Sequence, residues 1–121
     1  MKIVINQEFG GFGLSDKAFE LLLEKKNIEF EKVKDGEIFG ISRSVYYRKG
    51  HVNDDDYHIS EYSFYDDRSD QDLIEIVETL GSDANGWSAV LKIVEIPDDV
   101  EWEIAEYDGV EWVAEKHRTW S

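Results

Sequence analysis

Residues 100–120 have the sequence VEWEIAEYDGVEWVAEKHRTW. Apolar and acidic residues alternate on both sides of an Asp-Gly pair, which favours the tight turn of a two-residue β-hairpin. Alternate side chains of a strand point to the same face of the sheet. The apolar residues of each strand are therefore expected to share one face: Val100, Trp102 and Ile104 in the first strand, and Val110, Trp112 and Ala114 in the second. This stretch therefore predicts a C-terminal hairpin, and with it a largely antiparallel sheet.

The first third of the chain predicts a strand, a helix and a second hairpin. KIVIN is a β-branched run typical of a strand, and LSDKAFELLLEKKN has the apolar spacing of a helix. Ser15 is expected to cap the start of that helix, and Asn27 suits the left-handed residue after its end. The Asp-Gly pair of KDGE predicts a turn between strands at 28–33 and 37–41.

The remaining segments complete the predicted fold. Residues 42–67 predict a long, partly ordered loop with short strands near 45–47 and 59–64. In SDQDLIEIVETLG, Ser69 and Asp72 predict a capping box, and Gly81 the end of a second helix. SAVLKIVEI predicts a strand that runs to Pro97. We expect one α+β domain over 1–121, with a mostly antiparallel sheet, two helices and a C-terminal β-hairpin.

The net charge of −15 is unevenly distributed. Residues 1–50 carry nine Lys/Arg and eight Asp/Glu, a net of +1, whereas residues 51–121 carry four and twenty, a net of −16. Such a surface repels a phosphate backbone, so no binding to free nucleic acid is expected. The absence of Cys excludes disulfides and thiolate metal sites. With no apolar run near the roughly 20 residues that span a bilayer, we expect a cytoplasmic protein without membrane contact.

Basic and aromatic residues together indicate a nucleotide ligand. An aromatic ring can stack on a base while a guanidinium binds a phosphate with two hydrogen bonds, and an amide can contact a base edge. The candidate ligand-binding residues are Arg118, Arg68, Asn85, Phe64, His117 and Trp120. The alternative is that the aromatic residues form the core and the arginines pair with the plentiful carboxylates.

The sequence patterns that could indicate catalysis or metal binding are weaker than those for a nucleotide ligand. GGFG between the first strand and helix could cradle an anion, but it lacks the Lys-Ser/Thr of a P-loop, and a sharp turn is the simpler interpretation. His51 and His58 flank three aspartates without the spacing that fixes metal ligands on a helix. No nucleophile signature is present. We expect no enzyme, no metal and no cofactor, although the histidine–aspartate segment leaves a small hydrolase as a minor alternative.

The two ends of the chain resemble known proteins. MKIVIN followed three residues later by GGFGLSDKA, and VEIPDDVEWEIAEYDGVEWVAEKHRTW, resemble a group of small acidic proteins of tailed phages and prophages. Size and layout are similar to the phage Thoeris anti-defence sponge family, in its first described type. That resemblance implies binding, without cleavage, of a cyclic ADP-ribose isomer made by a bacterial TIR enzyme. It also implies dimers or larger homo-oligomers with shared pockets lined by arginine, an aromatic residue and asparagine.

A different function class is open on charge alone. The carboxylates of 51–83 and 95–111 could act as false phosphates in an acidic DNA mimic that inhibits a basic host defence protein. For the sponge, an acidic exterior around a small basic pocket would exclude long nucleic acids and admit a small nucleotide. The terminal residues 116–118 would then supply the donors of that pocket.

Overall fold

The structure is a computed structural model that describes residues 1–38 and 41–116, and the side chains of these except 35–38 and 41–43. Within these residues two α-helices and seven strands form, with 3-10 turns at Asp55–Tyr57, Glu61–Phe64 and Gly81–Ala84. Their bounds in chain order are β1 Lys2–Asn6, α1 Asp16–Lys25, β2 Phe30–Ile38, β3 Ile41–Arg48, β4 His58–Ile59, α2 Gln71–Leu80, β5 Leu91–Glu95, β6 Trp102–Tyr107 and β7 Val110–Glu115.

All strand pairs are antiparallel, which confirms the predicted α+β fold. β1 pairs with β5, β2 with β3 and β3 with β4, while β6 and β7 form the C-terminal hairpin. The core lies between the two helices and the strands β1 and β3, and its largest fully buried side chains include Phe19, Leu22, Leu73 and Ile76. No helix in the described part of the chain is both long and apolar enough to cross a membrane.

The predicted ends of α1 are confirmed. The Ser15 hydroxyl accepts a hydrogen bond from Ala18 N at 3.2 Å, which satisfies one of the amides that the first helical turn leaves unpaired. Asn27 has φ 58°, the left-handed conformation expected after the helix. Phe19, Leu22 and Leu23 are buried on one face, where the helix contacts α2.

α2 begins one residue later than a Ser69 cap would place it. Asp70 is at the N-cap without a side-chain bond to the helix, and the Ser69 hydroxyl instead donates to Asp67 Oδ1 at 2.7 Å. The predicted capping box is therefore wrong, because a nearer carboxylate takes the serine hydroxyl. Gly81 has φ 56° and ends the helix as predicted.

The hairpin of β2 and β3 differs from the prediction. β2 continues through Asp35–Gly36 instead of turning there, and a register shift between Lys34 and Glu37 absorbs the irregularity. The longer ladder pairs Phe30 with Arg48, so residues 42–48 of the segment predicted as a partly ordered loop are sheet. The longer ladder pairs more backbone amides and carbonyls than a turn at 35–36 would.

The strand predicted for 59–64 is also wrong beyond Ile59. After two residues of pairing with β3, the chain forms the 3-10 turn Glu61–Phe64. This turn brings Phe64 against Phe19, with ring centroids 5.8 Å apart, and is followed by the buried Tyr65. A continuous strand would alternate these two rings to opposite faces, whereas the turn lets both pack on the core.

The C-terminal hairpin forms as predicted. Asp108 and Gly109 have φ 50° and 88°, and Tyr107 pairs with Val110 across them. Burial within β7 follows a different pattern from the one expected of its apolar residues: Glu111 is buried, while Trp112 is about half exposed. The reason is that β7 lies beside β1, where the Glu111 carboxylate accepts a hydrogen bond from Asn6 N at 2.8 Å.

Candidate ligand-binding groove

Arg68 lies inside the protein, bound to Glu111. Its two terminal nitrogens donate to the two carboxylate oxygens of Glu111 at 2.7 and 3.0 Å, and its Nε donates to Tyr65 O at 2.6 Å. Only 8% of the residue is exposed. The Arg68 guanidinium is thus paired with a carboxylate, which agrees with the alternative that the arginines bind acidic side chains instead of a nucleotide.

Arg68 also organises the glycine-rich segment 10–13. Its guanidinium carbon lies 3.7 Å from the centre of the Phe12 ring, a cation–π contact. Phe12 meets Tyr65 edge to face with centroids 4.7 Å apart, and the Tyr65 hydroxyl accepts a hydrogen bond from Leu14 N at 3.2 Å. These contacts tie the segment to the core and fix the start of α1.

Phe64 and Asn85 occupy different environments. Phe64 is partly buried against the core, in contact with Phe19. Asn85 lies where residues 84–86 meet the start of α1, and its Oδ1 accepts a hydrogen bond from Leu91 N at 2.9 Å. Of the six candidate ligand residues, His117, Arg118 and Trp120 lie outside the described residues. The structure does not bring the other three together on one surface, since Arg68 is buried and Phe64 is partly buried against the core.

The GGFG segment near the start of the chain is in direct contact with the Asp-Gly turn of the C-terminal hairpin. Gly10 N donates to Asp108 O at 3.2 Å, and a Cβ added at Gly109 would lie 2.2 Å from Gly11 N. On the other side of the segment, Gly86 N donates to Gly13 O at 2.9 Å, and a Cβ at Gly86 would lie 2.7 Å from the Gly13 carbonyl carbon. The glycine-rich segment is held between the hairpin turn and the 85–88 loop, where only glycine fits so closely.

A groove of about 840 Å³ opens beside this junction. It is lined by residues of four segments, 10–19, 44–46, 58–62 and 85–88, which come from the start of α1, from β3, from β4 with the following 3-10 turn, and from the 85–88 loop. Asn85 is the one candidate ligand residue among its described lining. The volume is in the range of small-molecule sites.

Aromatic residues are the main feature of the groove. Phe12, Phe19 and Tyr46 contribute packed rings, whereas Trp87 and Tyr62 are 73% and 71% exposed although they line the same groove. Other rings of the protein, such as Tyr107, are about as exposed, but Trp87 and Tyr62 lie on one concave surface, which suits contact with a ligand. Sequence reasoning missed both residues; the tryptophan in ANGW, directly after a glycine in a loop, was the available signal.

The charges at the groove nearly cancel. Asp16 lies 3.5 Å from the Lys32 ammonium, which also contacts Glu20 at 3.3 Å. Lys17 and Glu61 also line the groove, and Lys17 has no ion pair among the described residues. Over the described residues the groove is therefore not basic, and the small basic pocket expected around residues 116–118 stays a prediction.

Two buried tyrosines beside the groove are held in their neutral form. Burial, followed by the negative charges of Asp16 and Glu20, raises the pKa of Tyr46 well above its ordinary value of 10.0. Burial likewise raises the pKa of Tyr65, against the opposing effect of the Leu14 amide that donates to its hydroxyl. Both phenols therefore act as hydrogen-bonding groups rather than as bases at ordinary pH.

A second, more open groove of about 860 Å³ lies at the opposite end of α1. His51 stacks on Tyr57 there, with centroids 3.6 Å apart and planes 14° apart, and Arg48 and Lys49 line it beside two glutamates. His58 instead meets Tyr47 edge to face. Within the described residues no group of three or more His, Asp or Glu side chains is arranged to hold a metal ion.

Comparison with known proteins adds no relative. No protein-family model, no curated protein and no solved structure matches this chain. The groove and the buried network around Arg68 are therefore the observations from which a function has to be argued.

Proposed function

We propose that this protein binds and sequesters a small cyclic nucleotide, of the cyclic ADP-ribose isomer class, without cleaving it. The observation that carries the proposal is the groove between α1, β3, β4 and the 85–88 loop. It has the volume of a small-molecule site, two exposed aromatic rings, and Asn85 at its edge. Rings that stack on a base and amide or hydroxyl groups that contact its edges are what nucleotide binding requires.

The polar groups of the groove suit binding rather than turnover. The Ser15 hydroxyl donates to Asp83 O at 2.7 Å and caps α1, and the Ser44 hydroxyl donates to Asp16 at 3.0 Å. Neither serine is bonded to a histidine that could activate it. A sponge needs affinity for the ground state of its ligand and no stabilisation of a transition state, so such a groove supports this reading.

The phosphates of the ligand require cations, and we assign these to the basic end of the chain, residues 116–118. Lys116 N donates to Glu101 O at 3.0 Å, at the open end of the hairpin. Lys116 comes seven residues after Gly109, so that end lies roughly 23 Å along β7 from the turn beside the groove. This distance favours pockets completed by a second copy, in line with the resemblance to a sponge family of homo-oligomers and with Arg118 as the phosphate-binding residue.

The place of action is inferred from the resemblance of the two chain ends to proteins of tailed phages and prophages. A phage protein of this kind would act in the cytoplasm of the host cell, where the immune signal accumulates, and would withhold the signal from its effector. No cofactor or metal is needed for that action, because it depends on stoichiometric binding alone.

The test is a thermal shift with the purified protein and a panel of cyclic ADP-ribose isomers and cyclic di- and trinucleotides. A ligand that binds only the native state raises Tm, and about 2.7 kcal/mol of stabilisation is expected at a hundredfold excess over Kd. The bound ligand should be recovered intact after heat denaturation of the protein. A flat response to the whole panel, or recovery of a hydrolysed product, would refute the proposal.

Arg118→Ala tests the assigned phosphate contact. We expect it to abolish the shift while the Tm of the unliganded protein stays unchanged. Arg48→Ala, which removes an exposed arginine from the second groove, is the matched control and should retain the shift. Equal shifts for both variants would remove Arg118 from the site.

One observation favours the acidic DNA mimic as a second candidate. Asp54, Asp55 and Asp56 are all exposed on a 3-10 turn, and the Asp54 carboxylate accepts a hydrogen bond from Asp56 N at 3.1 Å. The three negative charges are therefore presented from an ordered turn, as a basic partner protein would require.

A further inference from the structure

We infer that the groove is a base subsite: it takes the planar heteroaromatic ring of a nucleoside against Trp87 and Tyr62 and leaves the phosphate outside. The inference rests on the proposed function and adds to it which part of the ligand the described groove recognises. It also assigns two specificity-determining residues that the sequence did not indicate.

Both exposed rings, those of Trp87 and Tyr62, stand on anchored backbone. Trp87 follows Gly86, whose backbone is bonded to Gly13 and approaches it so closely that a Cβ would clash. Tyr62 lies in the 3-10 turn Glu61–Phe64 and meets the buried Tyr65 edge to face, with centroids 5.8 Å apart. Rings on fixed supports can stack on a planar ligand at a small cost in conformational entropy.

Packed aromatic rings also line the groove. Tyr46 is 5% exposed, and its ring is fixed by edge-to-face contacts with Phe19 and Phe30 at 5.0 and 5.6 Å. The Tyr46 hydroxyl donates to Glu20 Oε2 at 3.3 Å. The base would therefore meet an apolar, rigid surface with polar atoms at its border, which suits a ring with heteroatoms along its edges.

The charges at the groove do not favour a phosphate. Lys32 is shared between Asp16 and Glu20, and Lys17 and Glu61 are the other charged side chains that line the groove among the described residues. Two ammonium groups and three carboxylates produce no net attraction for a phosphate. The contacts in the groove therefore favour the base, and the phosphate contributes little to the affinity at this position.

The experiment titrates the four ribonucleosides, their 5′-monophosphates and ribose 5-phosphate into the full-length protein, by calorimetry and tryptophan fluorescence. At least one nucleoside is expected to bind as tightly as its monophosphate within about twofold, while ribose 5-phosphate does not bind. Trp87→Ala and Tyr62→Ala should each weaken that nucleoside roughly 5- to 150-fold, the factor that about 1–3 kcal/mol of stacking per base represents.

Trp112→Ala and Tyr107→Ala are matched controls, because both rings are exposed on the hairpin and neither lines the groove. They should bind like the wild type, and circular dichroism should show that all four variants fold. The inference is overturned if no nucleoside binds, if a monophosphate binds more than about tenfold tighter than its nucleoside, or if the groove variants match the controls. Should a cyclic nucleotide still raise Tm in any of these cases, the sequestering function stands and only the base subsite is rejected.

Discussion

The guanidinium of Arg68 and the carboxylate of Glu111 form a two-bond ion pair at 2.7 and 3.0 Å inside the protein, 43 residues apart in sequence. Glu111 also accepts from Asn6 N, and Arg68 also donates to the Tyr65 carbonyl. The pair thereby joins the C-terminal hairpin to β1 and to the segment before α2. Because Arg68 also lies over Phe12, it links the hairpin to the wall of the groove.

Breaking this pair on one side should strongly destabilise the fold. Glu111→Gln keeps an oxygen for Asn6 N but leaves the Arg68 charge buried without a counter-charge. We expect a loss of about 3–5 kcal/mol in the free energy of unfolding, measured by urea denaturation, and a similar loss for Arg68→Met. The double variant Arg68→Met/Glu111→Leu should recover part of that loss, because neither side then buries an unpaired charge.

The control is the exposed pair of Lys2 and Glu78, whose nitrogen and oxygen are 3.2 Å apart. Glu78→Gln should change the free energy of unfolding by about 0–1 kcal/mol, since solvent screens the two charges. Equal effects at Glu78 and Glu111 would mean that the buried pair does not hold the hairpin.

Gly109→Ala should destabilise the protein more than Gly50→Ala. Both glycines have positive φ, 88° and 84°, so alanine costs about 1–2 kcal/mol at either site. A Cβ at Gly109 would in addition lie 2.2 Å from Gly11 N, whereas nothing lies within 4 Å of one at Gly50. We expect about 1–3 kcal/mol more loss at Gly109, read from urea midpoints. Equal losses would show that the hairpin turn is not packed on the glycine-rich segment.

Local signals in the sequence predicted the parts of the fold that depend on neighbouring residues. Ser15, Asn27 and Gly81 each act within about one turn of their helix, and Asp108–Gly109 determines its own turn. The turn expected at Asp35–Gly36 had an equally good local signal. There the pairing of a long β2 with β3 prevailed, because it satisfies more backbone groups than a turn at that point.

The candidate site could be predicted only in part, since its contacts are distant in sequence. Nothing local separates Glu111 from the other glutamates that alternate along the hairpin, and its burial arises because β7 lies beside β1. Arg68 and Phe64 have the right chemistry for a nucleotide, but Arg68 is buried against Glu111 and Phe64 packs on the core. Asn85 does border the groove, and the roles of His117, Arg118 and Trp120 stay predictions.

The buried tyrosines should make the protein sensitive to alkali. Because the pKa values of Tyr46 and Tyr65 are raised in the folded state, their contribution to stability is complete below pH 10 and is lost as pH rises further, where the unfolded chain releases those protons. Absorbance at 295 nm should show that these two of the six tyrosines do not ionise before unfolding. Tyr46→Phe should reduce the slope of stability against pH above 10 by about 1.4 kcal/mol per pH unit.

Guanidinium-denatured protein is the control for this titration, and there all six tyrosines should ionise together. If six phenols also titrate together near pH 10 while circular dichroism still reports the native fold, the two hydroxyl groups are not buried as described.

Asn6 is fully buried and makes four side-chain hydrogen bonds. Its Nδ2 donates to the carbonyls of Glu8 and Gly109, both at 2.7 Å, and its Oδ1 accepts from the amides of Glu8 and Val90. Asn6→Asp has the same shape but replaces both donors by a buried negative charge facing two carbonyls. We expect it to be at least as destabilising as Asn6→Ala, with a loss of about 3 kcal/mol or more in the urea experiment. Asn53→Asp, an exposed loop change, should have little effect.

Removing the charge of Asp54 and reversing those of Asp55 and Asp56 separates the two proposed functions. The three side chains are exposed and do not line the groove. Asp54→Asn keeps an oxygen that can cap the 3-10 turn, so Asp54→Asn/Asp55→Lys/Asp56→Lys should fold with little change in Tm. If the protein is a sponge, the triple variant should bind its cyclic nucleotide with the wild-type Kd. If the protein is a mimic, the triple variant should capture a basic partner more weakly than the wild type does. The affinity of the wild-type complex should also fall steeply with added salt, because salt screens the charges that form the contact.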